Sequence, residues 1–269
     1  MNYKAFNLQV QDKVAVLEMN RPAKLNAMNE DFWEELPDIF AHIEQEPGIR
    51  VVVLSGAGEH FSSGIDLAYL ASVAAQLGKD PGRNALILRR QIKRLQASLD
   101  AVDRCGKPVL AAIQGYCIGG AIDLVSACDM RYCSADARFS IKEIDVGMAA
   151  DVGTLQRLPH IIGDGIMREL AYTGRFVEAD EACRIGLVNR VYADRDQLLD
   201  GVLQLAGEIA AKSPLAVRGT KEMIRYMRDH SVEDGLNYVA TWNGAMLQSE
   251  DLRLAMAAGM SKSRAEFKD

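Results

Sequence analysis

Cysteine is scarce in this sequence, and its spacing excludes two kinds of site. The five cysteines are odd in number and form no CxxC pair. We therefore predict reduced cysteines, with neither a disulfide framework nor a metal site. The sequence also lacks a GxGxxG motif, a Walker A motif and a catalytic triad, and its four histidines are scattered. A histidine-based mechanism is therefore not expected.

The sequence also lacks an excess of basic residues, a long apolar run and a targeting segment. Its 31 Lys and Arg against 37 Asp and Glu give a net charge of −6, so we expect no nucleic-acid partner. No apolar run reaches the length of a transmembrane helix, so no membrane partner is expected. The N-terminus resembles neither a signal nor a transit peptide, and the C-terminal SRAEFKD lacks a peroxisomal address. These absences predict a protein of the bacterial cytoplasm.

What the sequence does contain is an alternation of strands and helices. A strand pair with a turn at Asp12-Lys13 begins the chain, and buried strands at 51–54 and 108–113 each lead through a glycine turn toward a helix. This rhythm predicts parallel strands with crossover helices, an α/β fold. Residues 1–197 are expected to form that core and residues 198–269 a helical C-terminal region. Further elements are predicted at 30–44 (a helix capped by Asn29), 121–128 (helix), 130–141 (strand), 197–211, 214–228 and 232–259 (helices).

Two glycine turns offer backbone N–H groups to a ligand. Gly64 lets the chain turn so that the N–H of Ile65 faces outward. Gly119 and Gly120 open the next helix, where the N–H of Gly120 lacks an intrahelical partner. Two such donors can hold one developing oxyanion. The plainer alternatives are a surface turn with Asp66 as a helix cap, and tight helix–strand packing at the glycines.

Three carboxylates, Asp123, Glu143 and Asp151, lie in and after the second turn. Asp123 lies among apolar helix residues, and the other two flank the apolar segment IDVGMAA. Apolar surroundings raise the pKa of a carboxyl group, which suits it to carry protons near neutral pH. Donors for an anion beside proton carriers indicate chemistry on a carbonyl compound. The alternatives are an acid favoured near a helix start at Asp123, an ion pair of Glu143 with Lys142 or an arginine, and a helix cap by Asp151.

Four motifs resemble the crotonase (enoyl-CoA hydratase/isomerase) superfamily. They are NRPAKLNAM (20–28), FSSGIDL (61–67), QGYCIGGAIDL (114–124) and TLQRLP (154–159). The resemblance implies a spiral of repeated ββα units with a C-terminal helical trimerisation region, and hence homotrimers or hexamers. It also implies an acyl-CoA thioester as the substrate and an oxyanion hole formed by the N–H groups of Ile65 and Gly120.

The set of acids resembles that of the dienoyl-CoA isomerases within this superfamily. A typical enoyl-CoA hydratase has glutamates at the positions of Asp123 and Glu143 and a glycine at that of Asp151. The resemblance implies isomerisation of 3,5-dienoyl-CoA to 2,4-dienoyl-CoA in unsaturated fatty acid β-oxidation, with a proton moved from C2 to C6. Glu143 and Asp151 would exchange that proton, and Asp123 would polarise the diene terminus or orient the other acids. Alternatives are an enoyl-CoA hydratase, a 3,2-enoyl-CoA isomerase and a non-catalytic acyl-CoA- or RNA-binding homologue, against which the acidic charge and the added carboxylate argue.

These motifs, together with the helical segment KSPLAVRGTK (212–221), which also resembles the superfamily, imply further contacts with the substrate. Arg21, Lys24 and Lys221 are candidates for binding the CoA phosphates, Lys221 across a subunit interface; alternatively, each is a solvated surface charge. Other candidate substrate-binding residues lie in the FSSGIDL motif, namely Ser62, Ser63, Gly64, Asp66 and Leu67. Neither a metal nor a redox cofactor is implied, because coenzyme A is part of the substrate.

Overall fold

The computed structural model describes residues 3–269 of the chain. Its strands are β1 (Phe6–Gln11), β2 (Val14–Met19), β3 (Val51–Gly56), β4 (Val109–Ile113), β5 (Tyr116–Ile118), β6 (Met130–Ser134), β7 (Arg138–Ser140), β8 (Val177–Glu178) and β9 (Arg190–Tyr192). One sheet has the order β1-β2-β3-β4-β6-β9, and a smaller sheet has the order β5-β7-β8. In the large sheet β1 and β2 pair antiparallel, and the later pairs are parallel.

Helices connect these strands and form the C-terminal part of the chain. They are α1 (Glu30–Gln45), α2 (Leu67–Ala74), α3 (Pro81–Arg104), α4 (Gly120–Ser126), α5 (Thr154–Arg157), α6 (Asp164–Thr173), α7 (Ala179–Arg184), α8 (Arg195–Ala210), α9 (Pro214–Tyr226), α10 (Val232–Met246) and α11 (Glu250–Ser261). The predicted α/β class is confirmed, because parallel strands are joined through helices. In the part of the chain that the structure describes, no helix has the length and apolarity to span a membrane.

The first strand pair and the first helix follow local sequence signals. Asp12 and Lys13 have φ values of 49° and 69°, the left-handed values that a two-residue hairpin turn requires. The side chain of Asn29 accepts the N–H of Phe32 at 3.2 Å and so caps α1. Both predictions are confirmed.

β3 and β4 lie at the centre of the large sheet and are buried on both faces. Successive side chains of β3 enter two separate apolar clusters, with Val52 and Leu54 in the larger and Val51 and Val53 in the other. α8 covers the second cluster with Leu198, Val202, Ala206 and Ala210. Burial on both faces explains why these strands read as continuous apolar runs.

Two predicted elements are each divided in the structure. The segment predicted as one strand at 130–141 forms β6 and β7, which belong to different sheets and are separated by a turn at Ala135-Asp136. The helix predicted at 232–259 is α10 and α11, because the hydroxyl of Ser249 accepts the N–H of Leu252 at 3.4 Å and starts a new helix. Both predictions of a single continuous element were wrong. The apolar pattern of the sequence continues through each break and therefore gave no sign of it.

The C-terminal helices leave the sheet only after α8. The predicted boundary between residues 197 and 198 falls inside α8, and this helix packs on the large sheet. α9 and α10 contact each other and, with α11, expose apolar side chains such as Ile224 (64%), Leu236 (64%) and Met260 (87%). The trimerisation role of this region stays a prediction.

Candidate active site

The loop after β3 leaves the N–H of Ile65 without a partner among residues 3–269. Met28 pairs with this loop: its N–H donates to the carbonyl of Gly64 at 2.8 Å, and its carbonyl accepts the N–H of Asp66 at 3.0 Å. In such a parallel bridge the N–H of the central residue points away from the partner strand. Among residues 3–269, the N–H of Ile65 therefore has no hydrogen-bond acceptor.

The start of α4 holds a second N–H that lacks a partner in the described part of the chain. Gly119 has a φ of 56°, and its own N–H donates to the carbonyl of Ser140 at 2.9 Å. The following N–H, that of Gly120, has no acceptor within the described residues. A Cβ placed on Gly120 would lie 3.6 Å from the nitrogen of Ile65, so the two predicted donors are neighbours.

Hydrogen bonds fix the two donors relative to each other. The N–H of Ser62 donates to the carbonyl of Tyr116 at 2.9 Å, and the N–H of Ile118 donates to the carbonyl of Ser62 at 3.1 Å. Gly64 lies against this contact with a φ of 85°, and a Cβ there would lie 2.5 Å from the carbonyl oxygen of Ile118 and 3.1 Å from the nitrogen of Gly120. Position 64 thus requires glycine both for its dihedral angle and for the close approach.

Asp123 is fully buried on α4, with one carboxylate oxygen bonded and the other not. Its Oδ1 accepts the N–H of Thr154 at 2.6 Å, whereas Oδ2 is buried with no partner among residues 3–269. Burial and the charge of Glu143 raise the pKa of Asp123 to about 7, against the opposing effect of Thr154. Asp123 can therefore change protonation state near neutral pH.

Glu143 lies beside the two donors at the start of a 3-10 turn, Glu143–Val146. A Cβ on Gly119 would lie 3.3 Å from Oε1 of Glu143, and its Oε2 is buried without a partner in the described chain. Burial raises the pKa of Glu143, and the charge of Asp151 adds to this. The alternative pairing with Lys142 is not observed, because Lys142 binds Asp145 at 2.7 Å instead.

A hydrogen bond to its backbone carbonyl positions Asp151, and its carboxyl group does not cap the following helix. Its carbonyl oxygen accepts the side-chain amide of Gln96, on α3, at 2.6 Å. The nearest helix, α5, begins at Thr154, and its N-cap residue is Gly153, so the alternative of a helix cap by Asp151 is not observed. Burial raises the pKa of Asp151 as well.

The three acids form one electrostatic group. The charges of Glu143 and Asp151 both raise the pKa of Asp123, and that of Asp151 raises the pKa of Glu143. Neighbouring carboxyl groups that repel one another titrate as a coupled set and do not all ionise together. Such a set can hold one proton and pass another, which is what an isomerase of the proton-transfer type requires.

A cavity of about 330 Å³ joins the donors to Glu143. Its walls include Ile65, Gly119, Gly120 and Glu143. Several predicted substrate-binding residues also line it, namely Lys24, Ser63, Asp66 and Leu67. The cavity therefore has the features of a site for an apolar chain that ends in a polar, anion-forming group.

Ser62 lies within the turn and not on the cavity wall. Its hydroxyl is fully buried, donates to the carbonyl of Asn26 at 2.9 Å and accepts the N–H of Gly64 at 3.1 Å. These two bonds hold the loop that carries Ile65. The structure thus gives Ser62 a role in holding this loop, and its contact with substrate stays a prediction.

Arg21 and Asp66 bind each other at the edge of the cavity. Their ion pair measures 3.1 Å, and Arg21 also donates to the carbonyl of Ala27. The second oxygen of Asp66 accepts the N–H of Ala68 at 2.9 Å and caps α2, so the cap alternative is confirmed. Contact of Arg21 with a CoA phosphate stays a prediction.

Lys221 is not brought into this cluster within the chain. Its ammonium binds Asp129 at 2.7 Å and the carbonyl of Lys107 at 2.9 Å, and it lines a different cavity of about 430 Å³ beside α9. Its predicted reach across a subunit interface stays a prediction.

Sequence reasoning missed three residues of the site. Met28 and Thr154 lie inside the quoted motifs, but nothing in the motifs shows that one pairs with the Ile65 loop and the other binds Asp123. Gln96 gives no signal at all, because its partner Asp151 is 55 positions away in the sequence.

Comparison with known proteins identifies relatives of this chain. The sequence profile of the enoyl-CoA hydratase/isomerase family matches residues 9–269. The Delta(3,5)-Delta(2,4)-dienoyl-CoA isomerase, peroxisomal, of Arabidopsis thaliana is 51% identical over 93% of this chain and 91% of that protein. The mitochondrial protein of the same name from Rattus norvegicus is 49% identical over 97% of this chain and 81% of that protein.

A solved hydratase has the same fold at lower identity. The crystal structure of enoyl-CoA hydratase from Bacillus anthracis superimposes with a TM-score of 0.90 and covers 98% of this chain and 99% of that chain, at 30% identity. The crotonase-type fold implied by the motifs is thereby confirmed. At 30% against 49–51% identity, this hydratase is the more distant relative.

The prediction of a cytoplasmic, bacterial protein is contradicted by these comparisons. The relatives at about half identity are named as a peroxisomal and a mitochondrial protein. The prediction rested on the lack of a targeting pattern alone, and an absence of that kind does not identify a compartment.

Proposed function

The chain belongs to the enoyl-CoA hydratase/isomerase family, and from this premise we propose that it is an enzyme that isomerises 3,5-dienoyl-CoA to 2,4-dienoyl-CoA in the oxidation of unsaturated fatty acids. One observation carries the proposal: Glu143, whose pKa is raised, lines one cavity with two backbone N–H groups that have no acceptor among residues 3–269. Asp123 and Asp151, whose pKa values are also raised, act on this group through their charges. The relatives at about half identity carry the name of this activity.

The two donors bind the thioester oxygen. In the proposed complex this oxygen accepts the N–H groups of Ile65 and Gly120, which have no acceptor among residues 3–269. Loss of the C2 proton places negative charge on that oxygen, and each donor then contributes about 3 kcal/mol to the transition state. The donors thus make the C2–H bond acidic enough for a carboxylate to break it.

The acids move the proton in two steps. Glu143, which lies beside the donors, takes the proton from C2 and leaves an enolate that is conjugated with both double bonds of the diene. Asp151, initially protonated, gives its own proton to C6, so that the double bonds shift to positions 2 and 4. A proton then returns from Glu143 to Asp151 and restores the starting state. The reverse assignment of Glu143 and Asp151 satisfies the same balance. Only protons move, so the reaction as proposed uses neither a metal nor a redox cofactor.

Asp123 acts on the other two acids through its charge. Because it is fully buried beside them, an ionised Asp123 favours a proton on one of its neighbours. We assign it the role of keeping that pair in opposite protonation states while it polarises the distal end of the diene.

Outside the reacting centre, we propose a residue that binds coenzyme A and a surface through which the chain forms a homo-oligomer. Lys24 is exposed on the cavity wall and is the best placed cation for a CoA phosphate. The exposed apolar side chains of α9 to α11 favour a homotrimer or a dimer of trimers. Neither nucleic acid nor a membrane is a proposed partner.

Hydration is the second candidate, favoured by the hydratase that shares the fold with a TM-score of 0.90. Purified protein is assayed with 3,5-octadienoyl-CoA and, separately, with crotonyl-CoA in a diode-array spectrophotometer. We expect the absorbance of the conjugated 2,4-dienoyl product to grow and crotonyl-CoA to react slowly. Rapid loss of crotonyl-CoA absorbance with an inert dienoyl substrate would replace isomerisation with hydration.

A further inference from the structure

Thr154 links the segment of Asp151 to the carboxylate of Asp123. It is fully buried, lies three positions after Asp151, and its N–H donates to Oδ1 of Asp123 at 2.6 Å. Within residues 3–269, this N–H makes the hydrogen bond that holds the carboxylate in place. The position of Asp123 and that of Asp151 are therefore set by the same short stretch of chain.

Asp123 and Thr154 each have one buried polar atom that lacks a partner in the part of the chain that the structure describes. Oδ2 of Asp123 and the hydroxyl oxygen of Thr154 are both buried and make no hydrogen bond within the described chain. A buried polar atom left without a partner is costly, and native structures contain few of them. The hydroxyl of Thr154 acts to lower the pKa of Asp123, which is the effect of a donor that stabilises the charged carboxylate.

Apart from Thr154, the groups that act on Asp123 disfavour its ionised form. Glu143 and Asp151 are acidic, and burial removes water from all three carboxyl groups. The N–H and the hydroxyl of Thr154 lower the pKa of Asp123 and so favour its ionised form.

We propose that Thr154 is a positioning residue of the isomerase reaction: its N–H orients the carboxylate of Asp123, and its hydroxyl completes a hydrogen bond to Oδ2 when Asp123 is ionised. The inference rests on the proposed function. Thr154 thereby sets the pH range in which Asp123 is charged, and its hydroxyl gains the hydrogen-bond partner that it lacks among residues 3–269.

The test compares kcat and KM for 3,5-octadienoyl-CoA between pH 5 and pH 9 in the wild type, Thr154→Val and Thr154→Ser. Valine keeps the shape and the backbone N–H but removes the hydroxyl, so Asp123 loses a donor to its charged form. We expect the acidic limb of the kcat profile to move to higher pH by about one unit, the worth of one hydrogen bond to a charged group. KM stays unchanged, and serine restores the wild-type profile.

The matched control is Ser126→Ala. The hydroxyl of Ser126 is also buried and donates to the backbone carbonyl of Asp123 at 2.7 Å, so its loss disturbs the same helix without touching the carboxylate. It is expected to lower the melting temperature and to leave the acidic limb where it is. A Thr154→Val profile that matches the wild type would overturn the proposal, because a purely structural role changes stability only.

Two further measurements keep the outcome decisive. If the valine variant does not fold, Thr154→Ala carries the same expectation. In an Asp123→Asn background, Thr154→Val is expected to cause no additional shift, and an additional shift of a full unit would refute an action through Asp123. A wild type inactive on the dienoyl substrate would instead refute the proposed function, so the two failures are distinguishable.

Discussion

The two halves of the candidate site are built from different parts of the chain. The half that binds the oxyanion consists of backbone N–H groups at Ile65 and Gly120, held by hydrogen bonds between loops. The half that moves protons consists of side chains, whose charge depends on burial and on one another. Oxyanion binding by the first half is therefore independent of pH and depends on the backbone conformation. Proton transfer by the second half depends on both pH and backbone conformation.

The largest effect is expected on the side-chain half, from Asp151→Asn. The amide cannot give or take the proton, so kcat for the dienoyl substrate is expected to fall by about 10²–10⁴, the usual contribution of a general acid or base. Asp145→Asn is the control, because Asp145 is an exposed acid of the same segment, paired with Lys142. Activity within tenfold of the wild type would show that Asp151 carries no proton.

The backbone half is expected to break with Gly64→Ala. The new Cβ would lie 2.5 Å from the carbonyl oxygen of Ile118, and the loop must move. Displacement of one donor is expected to lower kcat by a factor of about 10²–10³ and to leave the shape of the pH profile as in the wild type. Gly186→Ala controls for the dihedral angle, since Gly186 has a φ of 81° but only an ordinary contact at 3.5 Å. Equal losses in both variants would contradict the role of close approach.

The charge of Asp123 predicts a pH-dependent difference in stability. Its pKa is raised from 3.8 to about 7. Between these values the folded state holds a proton that the unfolded state releases, so stability falls as pH rises through this window. Asp123→Asn is expected to gain about 4 kcal/mol of unfolding free energy relative to the wild type between pH 4 and pH 8, because the pKa is raised by about three pH units and each is worth about 1.4 kcal/mol. Urea unfolding at both pH values measures the difference, and a constant difference would contradict burial of an ionising group.

The smallest effect is expected outside both halves, from Lys24→Ala. An exposed ion pair with a phosphate is worth up to about 1 kcal/mol, so KM is expected to rise about two- to fivefold with kcat unchanged. Lys262→Ala, an exposed lysine at the end of α11, serves as the control. Raised ionic strength is expected to remove the difference between the Lys24 variant and the wild type.

Features carried by neighbouring residues could be predicted from the sequence. The hairpin turn at Asp12-Lys13 and the cap at Asn29 follow from local preferences. The approach of Ile65 to Gly120 followed from two strands that each end in a glycine turn, because parallel strands bring such ends to one edge of the sheet.

Contacts between distant residues could not be predicted in this way. The amide of Gln96 on the carbonyl of Asp151 and the N–H of Thr154 on Asp123 depend on how helices pack over the sheet. The same holds for Lys221, whose partner Asp129 is 92 positions away. The sequence assigns Gln96 no role, and it assigns Thr154 only a place in a motif and Lys221 only that of a candidate phosphate contact or surface charge. The packing alone shows the partner of each.

The bonds between Ser62, Tyr116 and Ile118 have a consequence for how the site meets its ligand. Since these bonds form when the chain folds, the two donors keep their spacing whether or not the site is occupied. The entropy of bringing them together is lost once, during folding, and not at each turnover. Ligand binding is therefore expected to leave hydrogen exchange at the amides of Ser62 and Ile118 unchanged, while it slows exchange at Ile65 and Gly120.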